Sequence, residues 1–326
     1  MKLNLYDKNL NRISIIGDRF ISCMWSEGYN TTQPFTVELQ ATDDYKRKIK
    51  PDLYVGRDDR KTLMVIKTVQ AKDGKIIATG KQAARCLDDV AFIGTIEAGE
   101  YLAPAIKRAY ETSNGFAGIS FADTALSAIC AHQISNKSIL AICEKSCQDA
   151  DVGFRAVRSA AGVKVEFYQP AANPNLVFSQ TLGNLAVESI LLSTENLKNH
   201  AIVLGAGEGN DRTQVVVDRS NGQQKRSLIV DARDLTRGEN ETDSAYNARL
   251  TSRGVERLLE KQGTWECAFS PLAKDFGTRY DLGDILTVLL PDYGIKLQAR
   301  VSRFTQKAQK NKTTTSIEVG TITIMR

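Results

Sequence analysis

The stretch Asn199–Asp218 reads NHAIVLGAGEGNDRTQVVVD, and it supports two different proteins depending on how it is read. One reading is a nucleotide cradle: a strand at Ala201–Leu204, then Gly205, Gly207 and Gly209, where backbone could approach a phosphate. The dinucleotide fingerprint, however, needs G-x-G-x-x-G opening into a helix whose first N–H groups hold the pyrophosphate. Here the spacing is G-x-G-x-G, and the run that follows, Thr213–Asp218, is β-branched, a poor helix start and a good strand. Without the helix there is neither a dipole nor a row of unpaired donors for an anion. The stretch is therefore expected to form two antiparallel strands, with the glycines serving turn geometry.

Outward from that hairpin, the 326 residues are enough for two or three domains with cores of their own. A hydrophobic fraction of 42% beside 25% charged residues is ordinary for a folded globular chain. No apolar run approaches the roughly 20 residues of a membrane helix, and Asp7 and Asp18 interrupt the N-terminal segment where a signal peptide needs a continuous apolar core. Synthesis and folding in the cytoplasm are expected. The net charge of +5 is spread thinly, densest at Lys46–Lys48 with Lys50, at Arg219 with Lys225 and Arg226, and at Lys307, Lys310 and Lys312. Each cluster adjoins turn residues and none is interleaved with aromatics, so solvated loops are expected rather than a nucleic-acid surface.

The pattern along the chain is β, then mixed, then β. Short runs with turn residues between them predict strands at 2–6, 12–16, 19–25, 34–40, 53–56, 62–71 and 75–79, closed by a short helix over Gly80–Asp89. Helical spacing follows at Glu100–Ser113, Asp123–His132 and Ser138–Gln148, then strands at Gly153–Arg158 and Val163–Tyr168 and a linker at Pro170–Pro174. Strands return at 176–180, 186–193 and 226–231. One long helix is expected over 241–262, capped by Thr242 or Asp243, striped by Tyr246, Leu250, Val255, Leu258 and Leu259, and ended by Gly263. Asp284–Leu290 is apolar on both faces and should be buried on both, before a last hairpin of 296–306 and 313–324. The fold class read from this is β-rich α+β: two small β-barrel modules, 1–97 and 175–326, an α/β insert at 98–174, and strands free to exchange between modules.

Candidate chemical residues are few. Cys143 and Cys147 stand one helical turn apart and read as core packing, since His132 and His200 are not at zinc-finger spacing from them. Asp281 and Asp284 lie three apart in D-L-G-D, where turn and cap roles fit better than an acid pair without opposed environments. Arg249, Arg253, Arg257 and Glu260 read as the solvated face of the long helix. No P-loop, G-x-S-x-G, H-E-x-x-H or Cys/His block occurs, so no catalytic, cofactor-binding or metal-binding residue is assigned and no cofactor is expected.

At Ala245–Gly263, at Tyr280–Val288 (YDLGDILTV) and at the hairpin ending Ser316–Gly320, the chain resembles the tail-hub proteins of siphophages, the N-terminal hub module of tail-associated lysin-type proteins. Asn199 before the central hairpin, Arg212 after its glycines, and Thr79–Lys81 running into Cys86 and Leu87 fit the same pattern. The resemblance implies a fold similar to the baseplate hub of contractile-tailed phages and to the spike base of type VI secretion. It implies a structural, non-enzymatic homotrimer at the tail tip of a virion, made in a bacterial host. Its partners would be the distal tail or tube ring, the tape measure and a spike or fibre, with DNA passing through unbound. The alternatives are a receptor-binding or fibre-base protein and a cell-wall hydrolase component. The chain ends soon after the hub with no long lysin or fibre region, which speaks against the hydrolase.

Overall fold

The computed structural model describes residues 1–115, 118–239, 241–261, 264–271, 275–309 and 312–325. Contacts divide the chain into two units, Met1–Ala186 with Phe269–Arg326, and Val187–Ala268. The expected division at 97 and 174 follows composition, whereas this one follows strand pairing.

In the first unit the early strands are β1 (Leu3–Tyr6), β2 (Arg12–Gly17), β3 (Ser22–Gly28), β4 (Pro34–Gln40), β5 (Tyr54–Arg57), β6 (Leu63–Lys72) and β7 (Lys75–Gln82). Between β4 and β5 stands a short helix, α1 (Asp43–Lys48), which the sequence reading leaves as loop. The Thr42 hydroxyl caps it by accepting from Tyr45 N–H, while Lys46 and Lys48 pair with Asp43 and Asp44 on its surface. The helix expected over Gly80–Asp89 is a 3-10 turn at Ala83–Asp89, because Gly80–Gln82 stay in β7. Gly80 is required there: a Cβ would come within 1.8 Å of the Val65 carbonyl across the ladder.

The mixed region follows with β8 (Ala91–Ile96), α2 (Leu102–Thr112), β9 (Ile119–Phe121), β10 (Ile134–Ser138), α3 (Ile139–Asp149), β11 (Gly153–Ser159) and β12 (Gly162–Tyr168). Ser138 caps α3 as expected, accepting from Ala141 N–H, and Cys143 and Cys147 are fully buried on its inner face. The helix expected at Asp123–His132 does not form. That segment runs irregularly, and its backbone serves the start of α2: Ala128 accepts from Leu102, and Cys130 donates to Glu100. Asp123, read as an N-cap, instead pairs with Lys107 at 2.6 Å, and His132 lies exposed in a bend.

The Pro170–Pro174 linker is also not found as such, because β13 (Ala172–Ser179) begins inside it. β13 runs parallel to β19 (Ile285–Leu290), which pairs with β20 (Ile295–Gln309). β20 is the seam of the unit. One of its edges pairs with β19 over Ile295–Arg300 and then with β3 over Arg303–Gln309, while the other carries β21 (Lys312–Met325) along most of its length. The early and late β regions thus share one eleven-stranded sheet, ordered β13-β19-β20-β3-β4-β7-β6-β5-β1-β2 with β21 on β20. No closed barrel is found among the described residues. In β19, Leu286, Thr287, Val288 and Leu290 are all buried, as two-sided burial requires.

The second unit contains most of β14 (Leu185–Ser193), then β15 (His200–Leu204), β16 (Gln214–Asp218), β17 (Ser227–Asp231) and α4 (Asp243–Leu259); β18 (Thr264–Pro271), a strand the sequence reading passed over, pairs with β14. β15 is central, antiparallel to β16 and parallel to β17, so the hairpin reading of Asn199–Asp218 holds. Thr242 caps α4 by accepting from Ala245 N–H. Tyr246, Leu250 and Leu258 bury against Ala201, Val203, Val217 and Val230, but Leu259 is 58% exposed and lies off the stripe. Gly254 lets the helix close onto the sheet, since a Cβ there would meet Val203 and Val217 methyls at 2.7 Å. Gly263, expected to end the helix, and Lys310 of the third basic cluster lie outside the described residues.

Replacing Leu286 with Asp places an unpaired charge at a fully buried position. The cost of several kcal/mol compares with a usual total stability of about 5–15 kcal/mol. L286D should therefore give no soluble folded protein, whereas Lys312→Glu, at an exposed hairpin end, should keep the parent melting midpoint. A soluble L286D protein melting with the parent would contradict the packing described for β19.

Candidate functional site

Asp281-Leu-Gly-Asp284, the turn ahead of β19, is where three parts of the first unit meet. The Asp284 carboxylate accepts from Ala171 N–H at 2.7 Å and from Asp281 N–H at 2.8 Å, so it fixes the turn and the start of β13 together. Gly283 has φ +90°, and a Cβ there would meet the Tyr29 ring at 2.5 Å. The carbonyls of Leu282 and Gly283 accept from Tyr168 Oη–H and the Arg300 guanidinium, at 3.1 and 2.7 Å. Burial raises the Asp284 carboxyl above the usual range, against the two backbone donors that lower it.

The side chain of Asp281 reaches the other way, into a row of alternating charges. Arg155 stands 3.3 Å from it and 2.5 Å from Glu166, while Arg60 stands 3.6 Å from it on the far side. Arg60 in turn grips Glu27 with two bonds, Nε at 3.0 Å and Nη2 at 2.7 Å. Glu27 is 1% exposed and also accepts from Trp25 Nε1–H at 2.7 Å and Thr62 Oγ1–H at 2.9 Å. Burial pushes its carboxyl pKa up, but the Arg60 charge and the hydrogen bonds outweigh that and hold it below the usual range. The Arg60 guanidinium lies 4.8 Å from the ring centre of Phe276 and 5.1 Å from that of Phe304, two rings stacked 4.6 Å apart. Strand β3, the turn before β6, the D-L-G-D turn, β11 and β12 are thereby tied in one line: Glu27, Arg60, Asp281, Arg155, Glu166.

Every oxygen of Glu27 is engaged and closed to solvent, so the arrangement is chemically a clamp. Residues 117–321, more than half of the chain and including the D-L-G-D turn, match the siphovirus ReqiPepy6 Gp37-like proteins. The chain belongs to that family of phage tail proteins. No curated protein matches it. Among solved structures, the prophage tail protein gp18 of Listeria monocytogenes EGD-e is similar at TM-score 0.56 and 14% identity, covering 98% of this chain and 94% of that one. The 43 kDa tail protein of prophage MuSo2 from Shewanella oneidensis gives TM-score 0.58 at 11% identity, covering 98% of both chains. A chain of the half-lidded PdpA–VgrG complex of Francisella gives 0.51 at 10% identity, covering 95% of this chain and 54% of that one. At such identities the likeness is one of fold.

In this siphovirus Gp37-like chain the other candidates are held structurally. Where a phosphate would lie in a nucleotide cradle, Arg212 closes the turn with bonds to the Gly205 and Leu204 carbonyls and to Asp231, all at 2.6–2.7 Å. Gly207 and Gly209 have positive φ, but Gly205 is needed for another reason: a Cβ would lie 2.5 Å from Tyr246 Oη. Arg249, Arg253 and Arg257 pair with Glu241, Asp234 and Glu260. The first two arginines border an open groove of about 550 Å³ beside α4, floored by Leu235, Ala248 and Ser252. His200 Nδ1 lies 3.0 Å from Ser227 Oγ. Burial pushes the Cys143 and Cys147 thiols well up, as inert core groups. No cluster of three metal-ligating side chains is present among the described residues, and no helix among them is long and apolar enough to cross a membrane.

The sequence reading named Asp281 and Asp284 but passed over Glu27, Arg60 and Arg155. One signal was available: Trp25 and Glu27 are two apart on a strand, hence on one face, where an indole N–H can reach a carboxylate.

The lowered Glu27 pKa sets a direction for pH dependence. A carboxylate whose pKa falls on folding adds stability above its unfolded value, about 4.3, and that stability is lost as pH drops through the folded value. Glu27→Gln should cost about 3–5 kcal/mol at neutral pH, because it leaves Arg60 without its buried partner. The loss should shrink below about pH 4. Denaturant melts at pH 7 and pH 3 check this; an equal loss at both would remove the carboxylate from the account.

Proposed function

We propose that this chain is a structural hub subunit of a phage or prophage tail tip, with no enzymatic role. Three copies form a ring around a channel, joining the tail tube to the distal components and letting DNA pass unbound. The observation that carries this reading is the shared sheet: the early and late β regions are joined at β20 and locked by the Glu27–Glu166 charge row. A pair of linked β modules in each subunit lets three copies present a pseudo-six-fold collar to a tube. The fold likeness over nearly the whole length of two prophage tail proteins supports the placement.

A ring closed by head-to-tail contacts uses two different patches per subunit, and a stable one buries on the order of 1,200–2,000 Å² per contact. Phosphate binding strengthens with each Lys or Arg that displaces counterions, so a lumen lined with cations would retard DNA. The α1 cluster and the Lys307 and Lys312 hairpin end therefore belong on the outside or on a docking face, with the bore neutral or acidic.

Counting copies in a density map of the assembled tail tip tests the reading: three per tail are expected, with α1 and the β20–β21 hairpin end outside the bore. One or two copies, or both basic clusters in the lumen, would overturn it. Purified chain should release no fragments from cell wall; release would transfer the protein to the hydrolase class.

A further inference from the structure

The strongest unassigned surface is the outer edge of β21. This strand runs from Lys312 to Met325 and its only strand partner is β20. Along Lys312–Gly320 the sequence KTTTSIEVG has no proline and two charges, and one of these, Glu318, is tied to Arg303. In any strand, alternate residues direct N–H and C=O to the side away from the paired neighbour. Soluble proteins usually blunt such an edge by shortness, proline, bulges or inward charges.

The other two ends of the same sheet are blunted. β2 is six residues long, begins at Arg12, ends at Gly17 with φ +64°, and meets β1 through two register shifts. β13 contains Pro174, and its pairing with β19 is interrupted between Asn173 and Val177. Neither is a regular strand that a second copy could lay along β21. Two β21 edges meeting would close as a two-fold pair, which a ring of three does not make.

We propose that the edge of β21 over Thr313–Gly320 receives an extended segment of a different tail polypeptide, added as a further strand of the sheet. The chemistry of that segment follows from the edge. Ile317 is buried and Val319 half-buried on one face, so the guest carries β-branched or other apolar residues at alternate positions to extend that row. Thr314, Ser316 and Glu318 occupy the opposite face and call for polar or cationic neighbours. Lys307 and Lys312 stand exposed at the hairpin end, so the guest places a carboxylate there. The inference rests on the tail reading above.

Hydrogen exchange of the full chain, alone and within purified tails, tests it. Alternate amides of Thr313–Gly320 should exchange quickly in the isolated chain and at least tenfold more slowly in tails. Slow exchange of all of them in the isolated chain at low concentration would overturn the proposal, as would unchanged exchange in tails. Protection that arises in the isolated chain together with self-association would assign the edge to a second copy and overturn it as well. Thr314→Pro and Thr315→Pro add a second measurement, since one of the two residues points its N–H outward, where proline is tolerated in a strand. The variant that keeps the parent melting midpoint should fail to enter tails; its entry at the parent level would overturn the proposal. If neither variant folds, the exchange comparison decides. Tails that lack the chain remove the tail reading and this proposal together, whereas tails holding three copies with a fast-exchanging β21 remove only this proposal.

Discussion

A carboxylate taken wholly out of water is the constraint around which the larger unit is arranged. An isolated buried charge is too costly to keep, so Glu27 must have partners, and those partners must have partners. Arg60 supplies two bonds and is held between stacked Phe276 and Phe304 and the Asp281 carboxylate. Asp281 is shared with Arg155, which completes its own pairing on Glu166. Each link is satisfied only when strands far apart in the chain are in register. The row thus acts less as a source of stability than as a condition on the arrangement, since breaking one link leaves another charge uncompensated.

The same demand explains why a short turn carries the most family-like stretch of the chain. D-L-G-D has to present one carboxylate outward to two arginines and fold the other back onto Ala171 N–H and Asp281 N–H. It must also pass beneath the Tyr29 ring with no Cβ in the way, which restricts its third position to glycine. For a tail protein the consequence is mechanical: a subunit that must hold its shape between a tube and the parts beyond it is cross-tied where its early, middle and late segments come together.

The smaller unit solves an analogous problem with contact instead of charge. A three-stranded sheet has one face to bury, and α4 covers it closely because Gly254 and Gly205 remove the atoms that would hold helix and loop away. Tyr246 then joins loop to loop, accepting from Ala206 N–H and donating to the Leu235 carbonyl. The glycines that suggested a phosphate site are thus accounted for by turn geometry and by helix packing.

Local chemistry was legible from the residues alone. Alternation and turn residues located most strands, hydroxyl caps at Ser138 and Thr242 located α3 and α4, and the doubly apolar run Ile285–Leu290 announced a strand buried on both sides. Local signals failed where a distant partner decided the outcome. The 123–132 segment has helical spacing, yet its carbonyls and amides are taken by the residues that open α2. Pro170–Pro174 reads as linker, yet β19 recruits its end into a parallel pair. That the two β regions form one sheet rests on β20 meeting β3 some 280 residues earlier in the chain, and on Glu27 meeting Arg60 beside Asp281. Sequence patterns record which face of an element is apolar and where it starts and stops. Which elements share a ladder or a buried charge is settled by long-range complementarity, and only the tertiary structure displays that.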